Sequence, residues 1–222
     1  MNLSAEGLGL PSLLLGWLSL LAMLGWSLRT APWFKVTRDR SAQHIWLFIS
    51  VVVFLAWQLS ASLGNGISFH FLLMTLMTLM FGVQFAFLGM LLALIGLTLF
   101  SQLGLWALGI NALIMGIVPI MMSQGMLMLS RRFLEQNFFV YVLFNGFLAA
   151  GISMVAALLL GGIVLGLNQV YGFEYLSTHF FPFIPLMAIP EGFVNGMLLA
   201  AIVVMKPHWL SSFQDRDFIN GK

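Results

Sequence analysis

Very few polar residues interrupt the apolar runs of this 222-residue chain, and any chemistry it performs must use them. Ionisable and amide groups inside long apolar stretches are costly to hold away from water, so each is a candidate site residue. His70 opens one run just after the loop 64–66, Asn111 lies in a later run, Glu191 follows Pro190, and Asn195 sits one helical turn beyond Glu191. Close to loops are Glu174, His179 and the terminal amine of Met1. Imidazole, amine and carboxylate donors suit nickel, cobalt, copper or zinc. The same residues also have a structural reading, in which the histidine caps a helix and Asn111, Glu191 and Asn195 bond between helices. Spacing alone leaves both open. Met74, Met77 and Met80 recur at period three, which fits flexible apolar packing better than a soft-metal path.

The elements that must position these residues follow from composition. The chain is 61% hydrophobic and 7% charged, against roughly a quarter charged in soluble domains. A soluble fold is excluded, and the expected fold class is all-α integral membrane, because a helix satisfies its own backbone polar groups in hydrocarbon. There is no cysteine, hence no disulfide, thiolate metal site or cysteine nucleophile. The net charge of +2 is spread over short loops, which argues against a nucleic-acid partner. No Gly-x-Ser-x-Gly, His-Glu-x-x-His or phosphate-loop motif occurs, so the chain is not expected to be an enzyme.

Apolar length and basic loops predict a bundle of about seven transmembrane helices at residues 8–28, 44–63, 67–82, 83–100, 105–129, 138–165 and 181–205, forming one domain. The run 67–100 is too long for one crossing and is divided near Gly82. Two crossings there put every Lys and Arg, from Arg29 to Lys222, on one side, as the positive-inside bias requires. The amino terminus is then outside and the carboxyl terminus cytoplasmic, in the inner (plasma) membrane. No basic residue precedes Arg29, so the first run is expected to be a retained helix and not a cleaved signal.

Several landmarks occur in the order found in one family. These are Met1-Asn2-Leu3 with Glu6-Gly7, the stretch from Gly64 to His70, Ala107-Leu108-Gly109-Ile110-Asn111 with Met115-Gly116, and Glu191-Gly192. In these the chain resembles the substrate-capturing membrane component of cobalt and nickel energy-coupling-factor (ECF) transporters, the CbiM/NikM type. The resemblance implies a divalent transition metal as transported substrate, held at the outer face by Met1, Asn2 and His70, with His179 and Glu174 as further candidates. It also implies a transmembrane coupling subunit, two cytoplasmic ATPases and in some relatives a small auxiliary membrane subunit. Asn2 departs from the family's histidine and offers a carboxamide where an imidazole is expected. That departure leaves two alternatives: a same-fold capture protein for an organic solute, in which Asn2 and His70 do not converge, or a membrane scaffold without a transported ligand.

Overall fold

The structure, a computed structural model, describes residues 2–62, 68–101 and 104–213. Met1, the turn 64–66, Arg216 and Lys222 therefore lie outside the described residues. The long elements are α1 (Leu10–Thr30), α3 (Arg40–Gln58), α4 (Met74–Ser101), α5 (Leu105–Phe133), α6 (Val140–Leu167) and α8 (Phe183–Met205). Two short helices, α2 (Phe34–Thr37) and α7 (Phe173–His179), lie in the connections. A two-residue antiparallel pairing joins β1 (Ala61–Ser62) to β2 (Ser68–Phe69). The chain is an all-helical, multi-pass membrane protein: six of its helices are long and apolar enough to cross a bilayer.

The helix ends depart from the apolar runs where local chemistry decides them. Helix α3 starts at Arg40, ahead of the expected His44, because the Asp39 carboxylate caps the backbone N–H groups of Ser41 and Ala42 at 2.8 and 3.2 Å. It stops at Gln58, ahead of the expected end at 63. Likewise α4 begins only at Met74, after an extended stretch through His70 and Leu73 that the apolar pattern had placed inside a span.

The count of six, against the expected seven, turns on α4. Its helix is interrupted at Gly82, whose φ of 78° and ψ of 169° are not helical. A Cβ placed on Gly89 would sit 2.6 Å from Met77 Cε. Straight helix between those residues would separate them by about 18 Å, so the chain folds back on itself at Gly82. Only glycine adopts that backbone geometry readily.

Contacts define two ends of the bundle. At one end the Arg131 guanidinium donates to the Ser212 carbonyl at 2.8 Å, Ser211 and Ser212 N–H donate to Met80 and Leu79 carbonyls, and Lys35 and Arg38 border Met80 and Phe85. At the other end, Asn168 Oδ1 accepts from Gly9 N–H at 2.6 Å, tying the entry to α1 against the end of α6. Helices α1 and α5 touch backbone to backbone at Gly16 and Gly109, where a side chain on either would overlap the other's main chain.

Candidate functional site

The Gly16–Gly109 contact sets the depth of Asn111 on α5. Asn111 is 1% exposed, and its carboxamide grips the amino-terminal segment twice: Oδ1 accepts from Leu3 N–H at 2.8 Å and Nδ2 donates to the Leu3 carbonyl at 2.8 Å. A side chain that mimics a β-ladder partner in this way fixes the segment in position and direction. Asn2 is thereby held over the bundle.

The second half of the site is the extended stretch before α4. Its backbone N–H groups lie in the bundle interior without helical partners, and Glu191 satisfies them: Oε2 accepts from Leu72 N–H and Oε1 from Leu73 N–H, each at 2.8 Å. Asn195 continues the pattern, accepting from Leu76 N–H at 3.0 Å and donating to Glu191 Oε1 at 2.9 Å. The Trp57 indole donates to the Leu72 carbonyl at 3.3 Å, and its ring centroid lies 5.5 Å from that of His70. Non-helical backbone persists at membrane depth only where protein satisfies it. Here a buried carboxylate and a carboxamide from α8 do so, while Leu73 takes a positive φ of 59°. Glu191 and Asn195 therefore support the site from beneath and do not enter it.

These two halves bring Asn2 and His70 together, with Asn2 Oδ1 3.1 Å from His70 Nε2. His70 is 3% exposed, and its Nδ1 lies 3.1 Å from the Phe71 carbonyl. A carbonyl only accepts, so Nδ1 carries the ring proton. The other ring nitrogen, Nε2, is then the one turned toward Asn2.

The other candidates lie apart. His179 and Glu174 are exposed on α7, where the His179 ring stacks on Tyr175 at 4.6 Å and its Nδ1 contacts the Thr178 hydroxyl at 2.6 Å. Among the described residues, no three His, Asp or Glu side chains converge. Met74, Met77 and Met80 are buried in the core. Sequence reasoning gave no role to Trp57, nor to Asn168 as the clasp on Gly9. An indole at the end of an apolar run, and an asparagine after the last residue of another, were the available signals.

Residues 2–209 match the family described as the cobalt uptake substrate-specific transmembrane region, CbiM. The chain belongs to this family. It is thus a substrate-capturing membrane component of a metal-uptake transporter of the ECF class. Two crystal structures share its fold. One, described as a truncated transition metal transporter, is 19% identical with a TM-score of 0.77 over 92% of this chain and 99% of that one. The other, described as a transition metal transporter, is 19% identical with a TM-score of 0.75 over 91% and 92% of the two chains. No curated protein matches the chain by sequence. In this CbiM-family protein the motifs around Asn111 and Glu191 serve to position the amino terminus and His70.

Proposed function

We propose that this CbiM-family chain captures a divalent transition metal of the cobalt or nickel class at its outer face, using the Met1 amine, Asn2 and His70. The observation that carries the reading is the spacing of the two described donors. Two donors bound to one ion at about 2.1 Å can lie no more than about 4.2 Å apart, and Asn2 Oδ1 and His70 Nε2 are 3.1 Å apart. Their convergence is what the organic-solute alternative does not expect. With an oxygen in place of an imidazole nitrogen, the site keeps a mixed nitrogen and oxygen donor set, which suits a borderline divalent ion.

The same reading orients the bundle. The run on either side of Gly82 crosses twice, giving seven crossings with the amino terminus outside. The short first limb, 74–81, is completed by the extended residues that Glu191 supports. Lys35, Arg38 and Arg131 then share the cytoplasmic end, consistent with the positive-inside bias. A transmembrane coupling subunit and two ATPases would drive release inward.

The test uses protein with its native amino terminus and a carboxyl-terminal tag. Cobalt, nickel, zinc and copper are measured by elemental mass spectrometry, beside His70→Ala and an amino-terminally extended form. Near-stoichiometric metal that is lost in both variants is the expected result. No metal in any form after exposure to each ion would overturn the reading and return the organic-solute alternative to the front.

A further inference from the structure

A cavity lies at the end of the bundle opposite the candidate metal site. It encloses about 470 Å³ between α2, the start of α3, the turn at Gly82 and the segment after α8. Its floor is apolar and aromatic, including Ile45, Met80 and Phe85, with Trp46 and Trp209 among its walls. Its rim carries Lys35, Arg38 and His208. The Trp46 indole is engaged by the Phe85 carbonyl at 2.9 Å, which closes the floor and leaves the cations as its polar handles.

The side chains of Lys35 and Arg38 are exposed and make no hydrogen bond or ion pair among the described residues. The one carboxylate in the lining, Asp39, turns its Oδ1 to the start of α3, where it accepts from Ser41 and Ala42 N–H. Two cations without a side-chain partner among the described residues therefore border an apolar slot. Phe34 in its lining and Phe48 on α3 are 57% and 63% exposed. Tryptophan at the boundary and a lysine and an arginine above an apolar slot are the features that an anionic amphiphile matches.

We infer that this cavity binds the headgroup and upper acyl segment of an anionic phospholipid, with Lys35 and Arg38 holding the phosphate. The occupant is a lipid because the floor is apolar and continuous in kind with the neighbouring exposed faces. A free phosphate would find cations but no use for Ile45, Met80 and Phe85. The site is independent of the metal reading, since it shares no residue with Asn2, His70 or Glu191.

Native mass spectrometry of the full chain in detergent tests this with phosphatidylglycerol, phosphatidylcholine and inorganic phosphate as probes. Phosphatidylglycerol should bind in preference to phosphatidylcholine. Affinity should fall about 5-fold in Lys35→Gln and about 30-fold in the Lys35→Gln/Arg38→Gln double variant, the weight expected of one and two interfacial cations. Arg132→Gln, a basic residue at the same end but outside the cavity, should bind as the parent does. Equal binding of the two lipids, undiminished binding by the double variant, or full displacement of phosphatidylglycerol by inorganic phosphate would overturn the inference. Met80→Trp, which fills the floor and spares both cations, should also weaken lipid binding; retained binding there counts against the cavity.

Discussion

At the scale of single residues, support has been separated from ligation. Glu191 is an acid deep in an apolar helix and invites a catalytic or transport reading, yet both of its oxygens accept backbone N–H groups at 2.8 Å. Glu191→Ala leaves two buried backbone N–H donors unpaired, a loss of about 2–6 kcal/mol at 1–3 kcal/mol per group. A clear drop in the thermal unfolding midpoint should follow, together with loss of metal although no ligand was changed. Asn111 could be picked out from sequence, because an amide in an apolar run must find a partner. That its partner is the Leu3 backbone could not, since nothing in the local sequence pairs residues so far apart.

At the scale of elements, the apolar runs largely predicted the helices, and their ends were set by individual side chains. Asp39 starts α3 early, and the Glu191 fork allows the chain before Met74 to remain extended. Hydropathy cannot distinguish buried extended chain from helix, because both need the same apolar side chains. The reversal at Gly82 could be anticipated from the length of the run. Its form, a single glycine at φ 78° and not a loop, could not. Gly82→Ala should therefore be destabilising by about 1–3 kcal/mol, the ordinary cost of placing a side chain in that region. Thermal unfolding measures this, and an unchanged midpoint would mean that the helix can pass through residue 82 without the turn.

At the scale of the whole molecule, the bundle separates two groups of polar residues by distance. One end gathers the amino-terminal segment, His70 and the supports from α5 and α8; the other gathers Lys35, Arg38 and Arg131. Because the chain has no cysteine, single cysteines report topology cleanly. A cysteine at Glu174 should react with an impermeant maleimide in intact cells, and one at Lys35 only after permeabilisation. The reverse pattern contradicts the proposed orientation. The departure at Asn2 is also a whole-molecule matter, since Leu3, Asn111, Gly16 and Gly109 all act to place that one side chain.

X-ray absorption on cobalt-loaded protein, compared with Asn2→His and His70→Ala, tests the central claim most directly. The account predicts a nitrogen and oxygen shell at about 2.1 Å with one imidazole in the parent, two in Asn2→His and none in His70→Ala. An imidazole signal that survives His70→Ala, or one that does not increase in Asn2→His, would place the metal elsewhere and contradict it.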